Sequence, residues 1–291
     1  MAATTSTSVS SGRRPENVKV LLTGDHGILG SVVRAELESA GHDVTGFDLA
    51  DGGDVMDAAA VAVSAAGHDA IVHLAGIPGD QEDRPDQVMA VNLIGTWNVL
   101  LAARSAGVQR VVFCSSGKAL GMLERNPEYL PVDDAHPGLP SRPYALSKWL
   151  AEEMCQAFTA ETGIATICLR PVFVADEAAW RAFGGLEDLP PARGAAWHLG
   201  AIVDVRDVAT AFSDALRCPD PGHVRLLLCS DEVGSDHPSV ALVARHLADV
   251  QWRQGTRPNE ESRRALIDTA AAKAVLGWSP KHGWSDKGGY S

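Results

Sequence analysis

The chain has 291 residues, of which 45% are hydrophobic and 21% charged, and its formal net charge is −12 at pH 7. These values are ordinary for a soluble globular protein of one large domain, or one domain with a small lobe. The acidic balance argues against nucleic acid or an anionic membrane as the main partner, and no stretch is apolar for long enough to cross a membrane.

The N-terminus and the cysteines suggest where the protein resides. Residues 1–16 are rich in Ser, Thr and Ala and lack the apolar core of a secretory signal, so they predict a disordered tail, with a transit peptide as the weaker alternative. The five cysteines form no CxxC pair and lie in apolar contexts, which indicates reduced thiols in a cytoplasmic protein. The histidines show no metal-binding spacing, and no metal is predicted.

Strand-like and helix-like segments alternate along the chain. The apolar runs predict five strands, at 18–24, 42–50, 69–76, 109–116 and 164–172. Helical patterns lie between them, the longest at 84–107 and 144–163, and a polar loop is predicted at 117–142. This alternation indicates βαβ crossovers and an α/β fold with a Rossmann-type, doubly wound parallel sheet over residues 17–170. Residues 171–291 are predicted to form a small C-terminal substrate lobe, interleaved with the end of the sheet.

Three glycines stand at the first strand-to-helix junction, in "VLLTGDHGILGSVV". Gly24 permits a tight turn, Gly27 lets the backbone approach a pyrophosphate, and Gly30 lets the helix pack closely on the strand. The free N–H groups and the dipole at the helix start favour an anion there. A GxxGxxG pattern alone is weak evidence, but after a strand and before a helix it predicts a dinucleotide site.

Asp48 follows the second strand, at the position where an acid binds the adenosine ribose hydroxyls. A carboxylate there repels a ribose 2′-phosphate, so the predicted cofactor is NAD rather than NADP. Asp51 and Asp54 lie nearby. They weaken the assignment of the ribose contact to one residue, but not the argument from local negative charge.

The segment "SRPYALSKWLAEE" contains Tyr144 and Lys148, which share one face of a helix because they are one turn apart. A tyrosine, with an ordinary pKa of about 10, is a poor base near neutrality, and a neighbouring cation favours its phenolate. The phenol can then exchange a proton with a carbinol or carbonyl while hydride moves to or from the cofactor. Ser116, after the fourth strand, is predicted to hydrogen-bond the same substrate oxygen.

The ordered motifs "TGDHGILG", "GFDLAD", "IVHLAGIPG", "NLIGTWNVLLAAR", "RVVFCSSGKALG", "YALSKWLAEE", "LRPVFV" and "VDVRDVATAF" resemble the extended short-chain dehydrogenases/reductases of the NAD-dependent epimerase/dehydratase family. The resemblance runs from about Val18 to Pro280. It implies that Tyr144 is the acid/base, that Lys148 lowers its pKa and holds the nicotinamide ribose, and that Ser116 orients the substrate. The other cofactor-binding residues that it implies are Gly24, Gly27, Ile28, Leu29, Gly30, Asp48, Asp54, Val55, Leu74, Ala75, Gly76, Asn92, Pro171 and Val172.

Two departures bear on the substrate. Where the related sugar-nucleotide dehydratases carry an Asp-Glu pair, this chain has Gly117 and Lys118, which disfavours dehydration. The segment 175–201 is short for anchoring a nucleotide sugar. Its Trp180, Arg181, Arg193, Trp197 and His198 either close over a compact substrate or merely pack the lobe.

The sequence therefore predicts an NAD-dependent oxidoreductase or epimerase that acts on a secondary alcohol or ketone of a sugar, nucleotide sugar or sugar-like substrate. Two alternatives remain open: a dehydrogenase or ketoreductase of a small free substrate such as a uronic acid or cyclic ketone, and a non-catalytic NAD(P)-binding regulator. A homodimer is also expected, because the helices 85–106 and 143–161 carry apolar residues on more than one face. These residues include Leu93, Trp97, Leu100, Trp149 and Met154.

Overall fold

The computed structural model describes residues 17–79, 81, 83–121, 125–182 and 200–290. The predicted N-terminal tail, residues 1–16, lies outside the described residues. So do Arg193, Trp197 and His198, which belong to the segment 183–199.

The elements alternate largely as the sequence predicts. The strands are β1 Lys19–Thr23, β2 Asp43–Phe47, β3 Ala70–His73, β4 Arg110–Cys114, β5 Tyr129–Leu130, β6 Ala165–Pro171, β7 Phe173–Ala175, β8 Ile202–Asp204, β9 His223–Leu228 and β10 Gln251–Trp252. The helices are α1 Ile28–Ser39, α2 Ala58–Ala65, α3 Pro85–Met89, α4 Thr96–Ala106, α5 Pro143–Thr162, α6 Glu177–Ala182, α7 Val205–Arg217, α8 Ser239–His246 and α9 Ala270–Leu276.

Among the described residues, six strands form one sheet in the order β2-β1-β3-β4-β6-β9, and every neighbouring pair is parallel. Successive side chains of a strand point to opposite faces, so Val20 and Leu22 of β1 pack with α1, α7 and α9, whereas Leu21 packs with α2, α4 and α5. Burial on both faces explains why these strands are continuously apolar. The doubly wound α/β fold predicted from the sequence is confirmed.

The long helix predicted over 84–107 is interrupted. A π-helical segment, Ala90–Gly95, lies between α3 and α4. The predicted loop 117–142 also contains structure, since β5 pairs with β10 beside a third apolar cluster that includes Val132, Leu242 and Leu266. This cluster is distinct from the two layers on the sheet but reaches the edge strand β9 through Leu227. β9 and α7, which follow residue 171, belong to the sheet and its covering layer.

Parallel strands place their carboxyl ends at one edge of the sheet. The segments that follow these ends carry most of the predicted site residues: the glycine turn after β1, Asp48 after β2, Leu74–Gly76 after β3, Ser116 after β4, and Val172 after β6. Ligands of open α/β sheets bind at this edge.

Candidate active site

The glycine turn brings three segments close together. Gly24 has a φ of +77°, and its N–H donates to the Phe47 carbonyl at 3.0 Å. A Cβ on Gly24 would lie 2.6 Å from the Ala75 nitrogen, and one on Gly30 would lie 2.0 Å from the Gly24 oxygen. Neither position has room for a side chain, because the neighbouring atoms belong to the backbone.

Gly27 is different, because a Cβ there would approach only the Gly24 oxygen, at 3.4 Å. The backbone at Gly27 is therefore open on its outer side. Within the described residues, no side chain caps α1, and Ile28 at its start is 72% exposed. Open backbone and uncapped N–H groups at a helix start are the features that receive a pyrophosphate. Leu29, which follows Ile28, is partly buried and packs against the core under α1.

Asp48 is held beside this turn by two backbone donors. Its Oδ2 accepts from the N–H of His26 at 3.2 Å, and its Oδ1 accepts from the N–H of Ala50 at 2.9 Å. The carboxylate is thus fixed at the rim of the glycine turn. Asp54 is exposed, and its Oδ1 accepts from the N–H of Met56 at 2.8 Å.

Of the other predicted cofactor residues, Leu74 and Ala75 bind through their backbone N–H groups to Thr23, just before the glycine turn, whereas Val55 lies against α4. The N–H of Leu74 donates to the Thr23 carbonyl at 3.0 Å, and the N–H of Ala75 donates to Thr23 Oγ1 at 3.3 Å. Val55 is buried, and its carbonyl accepts from Asn98 Nδ2 at 2.9 Å.

Asn92, in the π-helical segment, connects the backbone that follows β3 with α5. Its Oδ1 accepts from the N–H of Ile77 at 2.8 Å, and its Nδ2 donates to Ser147 Oγ at 3.0 Å. A Cβ on Gly76 would lie 2.9 Å from Asn92 Oδ1 and 3.8 Å from Lys148 Nζ. Gly76 therefore lets the backbone pass directly over the side chains of Asn92 and Lys148.

Sequence reasoning assigned no role to His73, which links these parts. Its Nδ1 pairs with Thr23 Oγ1 at 2.7 Å and its Nε2 with Thr96 Oγ1 at 3.1 Å, and Thr96 Oγ1 donates to the Asn92 carbonyl at 2.6 Å. Burial lowers the pKa of His73 to about 3, so the ring is neutral. The only sequence signal was a polar residue at the end of an apolar strand.

Tyr144 and Lys148 lie together on the first turns of α5. Lys148 is 5% exposed; its Nζ donates to the Cys114 carbonyl at 2.8 Å and lies 5.9 Å from the centre of the Tyr144 ring. Burial lowers the pKa of Lys148. The strand end of β4, through Cys114, therefore fixes the ammonium beside the phenol.

Ser116 caps a short 3₁₀ turn, Gly117–Leu120, and its Oγ accepts from the N–H of Lys118 at 3.2 Å. Lys118 extends back toward α5, where its Nζ lies 5.5 Å from the centre of the Tyr144 ring. Pro171 and Val172 flank this turn, since a Cβ on Gly117 would lie 3.3 Å from Val172 Cγ1 and 3.6 Å from the Pro171 oxygen.

In the described part of the segment 175–201, Trp180 packs inside the lobe. Trp180 is 2% exposed, packs on Trp284, and donates through Nε1 to Asp204 at 2.8 Å. Arg181 is exposed and pairs with Glu177. For Trp180 the packing interpretation is therefore the correct one, because its indole fills the core of the lobe.

Comparison with known proteins places the chain in a family. A sequence profile of the NAD dependent epimerase/dehydratase family matches residues 20–175. The chain belongs to this family. NAD is accordingly its cofactor, and the glycine turn, Asp48 and the Tyr144–Lys148 pair all lie within the matched residues. Within the described residues, no helix has the length and hydrophobicity needed to cross a membrane, and no group of His, Cys, Asp or Glu could hold a metal ion.

Curated relatives include two kinds of enzyme. The chain is 32% identical to a uronate dehydrogenase of Pseudomonas syringae pv. tomato over 165 residues, which cover 52% of the chain but only 58% of that enzyme. It is 27% identical to a UDP-glucose 4-epimerase of Corynebacterium glutamicum over 315 aligned positions, which cover 91% of the chain and 92% of the epimerase.

Solved structures share the fold. A short-chain dehydrogenase/reductase superfamily protein from Agrobacterium tumefaciens with bound NAD has a TM-score of 0.71 and 24% identity, covering 92% of this chain and 94% of that one. A mutated uronate dehydrogenase has a TM-score of 0.62 and 21% identity, covering 92% and 83%.

Proposed function

We propose that the protein transfers hydride between NAD and a secondary alcohol or ketone of a sugar-like substrate, with Tyr144 as the acid/base. The observation that carries the proposal is the position of the Lys148 ammonium, 5.9 Å from the centre of the Tyr144 ring and held by the Cys114 carbonyl. A cation at this distance favours the phenolate, which can accept a proton from a substrate hydroxyl.

The chain's own residues account for the remaining tasks. Ser116, on the turn beside Tyr144, donates a hydrogen bond to the substrate oxygen. The open backbone at Gly27 and Ile28 receives the pyrophosphate, and Asp48 receives the adenosine ribose. NAD, when bound, supplies the hydride acceptor at the nicotinamide ring.

Net oxidation or reduction is the reaction we favour over epimerisation. An epimerase returns hydride to the opposite face of the same carbon and needs a substrate that turns within its pocket, usually anchored by its nucleotide. The short segment 175–201 offers little material for such an anchor. The uronate dehydrogenase among the relatives supports a compact acidic sugar, whereas the match along 91% of the chain to a UDP-glucose 4-epimerase supports the alternative.

A stoichiometric assay separates the two reactions. The protein is mixed with excess NAD and with either a hexuronic acid or UDP-glucose, and NADH absorbance and product are followed together. Steady NADH accumulation supports the dehydrogenase. Product without net NADH, and NAD still bound after gel filtration, would establish an epimerase.

The role of Tyr144 is tested in the same assay. Tyr144→Phe removes the proton carrier while keeping the ring, and turnover should fall by roughly 10²- to 10⁴-fold, the usual contribution of general acid–base catalysis, with NAD affinity nearly unchanged. Tyr129→Phe is the matched control, because the Tyr129 hydroxyl donates to Asp133 and has no proposed role in the reaction. Full turnover in Tyr144→Phe would assign the acid/base to another group.

A homodimer is the proposed assembly. Ile94, Trp97 and Leu101 are 49%, 41% and 39% exposed and share one helix face by their spacing. Leu100, which the sequence suggested for this surface, is instead fully buried against the sheet. A second copy of the chain would cover the exposed face.

A further inference from the structure

Lys118 lies beside the proposed acid/base without a place in the mechanism above. Its backbone is fixed by the 3₁₀ turn Gly117–Leu120 and by the hydrogen bond from its N–H to Ser116 Oγ. Its side chain is half-buried, and its Nζ lies 5.5 Å from the centre of the Tyr144 ring. Lys118 thus approaches Tyr144 as closely as Lys148 does, and it comes from a different element.

The two lysines differ in their surroundings. Lys148 is buried, donates to the Cys114 carbonyl, and also lies 4.8 Å from the centre of the Phe113 ring. Burial makes its charged form more costly and lowers its pKa. Lys118 is less buried, so it adds a second cation beside the same phenol at a smaller desolvation cost.

We propose that Lys118 is an electrostatic partner of Tyr144, which stabilises the phenolate together with Lys148. Lys118 acts through Tyr144 and is therefore a positioning residue rather than one that reacts. Its effect on turnover rests on the proposed function, but its effect on the ionisation of Tyr144 does not.

Three further titratable groups interact with Lys148, and none of them adds positive charge beside the phenol near pH 7. Burial raises the pKa of the Cys114 thiol on β4 and lowers that of His73 on β3, so both are neutral near pH 7. Glu152, further along α5, is engaged by Arg170 through two hydrogen bonds. Among these described groups, Lys118 and Lys148 supply the positive charge that faces the phenol.

The chain offers a direct readout of this ionisation because it contains three tyrosines. Burial and the carboxylate of Asp133 raise the pKa of Tyr129 to about 12, and burial raises that of Tyr290. Tyr144 should therefore be the first of the three to ionise as pH rises. The near-ultraviolet absorbance of tyrosinate then reports on it, and Tyr144→Phe identifies its share of the signal.

The size of the effect follows from Coulomb's law. A unit charge about 6 Å from the centre of the ring shifts the midpoint of titration by about 0.5 to 2 pH units, for effective dielectric constants from about 80 down to about 20. Lys118→Met and Lys118→Gln should each raise the Tyr144 midpoint by about this amount. Lys118→Arg keeps the positive charge and should leave the midpoint near that of the unaltered protein. Lys273→Met is the matched control, because it removes the same charge from α9, where Lys273 pairs with Asp231.

The titration is run on the full chain with NAD bound and without it, and the acid limb of kcat/KM is measured wherever a substrate is found. The proposal is supported if the tyrosinate midpoint and the acid limb both shift upward in Lys118→Met and Lys118→Gln but not in Lys118→Arg or Lys273→Met. A shifted midpoint in a protein that turns over no sugar would support Lys118 while refuting the proposed function. An unshifted midpoint overturns the proposal. A raised KM for an acidic sugar with an unshifted midpoint also overturns it, and assigns Lys118 to substrate binding.

Discussion

The buried pair of Glu152 and Arg170 offers a quantitative test of how the active-site end of the sheet is held together. Glu152 on α5 is 0% exposed and Arg170 on β6 is 2% exposed. Arg170 donates Nε to Oε1 at 2.8 Å and Nη2 to Oε2 at 2.6 Å, so the pair is bidentate. Ser115, next to Ser116, also donates its hydroxyl to Glu152 Oε1. One carboxylate thus connects the helix of Tyr144 and Lys148 with the strand end of Ser116.

Glu152→Gln should be strongly destabilising. The amide removes the negative charge, turns an N–H₂ donor toward the guanidinium, and leaves Arg170 buried with only Asp134, whose Oδ1 lies 4.0 Å from Nη1, as a nearby acid. Breaking a buried ion pair on one side costs about 3–5 kcal/mol of the free energy of unfolding. Glu161→Gln, on the same helix, is the matched control, because Glu161 pairs with Arg104 at 2.8 Å while both side chains are more than half exposed. An exposed pair contributes about 0–1 kcal/mol.

The measurement is equilibrium denaturation in urea, followed by tryptophan fluorescence. We expect Glu152→Gln to lose several times more stability than Glu161→Gln, and a second substitution, Arg170→Met, to recover part of the loss because it removes the buried guanidinium that has lost its bidentate partner. Equal losses in the two Gln variants, or no recovery in the double variant, would refute the electrostatic account of this cluster.

Three further predictions concern the cofactor, the assembly and pH. Asp48→Asn should lower the preference for NAD over NADP by roughly tenfold, because the carboxylate fixed by the His26 and Ala50 amides would no longer repel a 2′-phosphate; equal affinities in the unaltered protein would contradict the assignment. Trp97→Glu should convert a dimer to a 30.7 kDa species in light scattering, and that mass in the unaltered protein would rule out the dimer. Burial raises the pKa of Asp134 to about 7, above its unfolded value, so its contribution to stability is full below about pH 4 and lost as pH rises toward 7. Asp134→Asn should flatten that decline, since an amide oxygen can still accept from the Leu227 N–H, and an unchanged pH profile would count against the shift.

The sheet was predictable because its signals are local. Each strand of the first half is a short apolar run bounded by turn residues, and each intervening helix has its own periodicity, so alternation alone fixes a parallel, doubly wound arrangement. The π-helical segment Ala90–Gly95 was not predictable in this way. Its single extra residue per turn hardly disturbs an apolar pattern, yet it determines where the Asn92 amide meets Ile77 and Ser147.

The features of the site that could not be predicted from the sequence depend on hydrogen bonds between distant segments. In the sequence, His73 is only a histidine at the end of a strand. The fold shows that it is neutral and hydrogen-bonded between Thr23 and Thr96, so that it joins the glycine turn to the helical segment of Asn92. Such a role depends on tertiary hydrogen bonds that no spacing within "IVHLAG" encodes.

The position of Lys118 beside Tyr144 also depends on the fold and could not be predicted from the sequence. In the sequence it is a departure from a dehydratase pattern, and that argument concerns only what the chain lacks. In the fold, the 3₁₀ turn after β4 carries its ammonium to 5.5 Å from the Tyr144 ring, nearer than the 5.9 Å of Lys148. Electrostatic influence falls with distance and not with separation along the chain. A motif of one tyrosine and one lysine therefore describes only part of the site. The protonation of the tyrosine depends on every cation that the fold places near its ring.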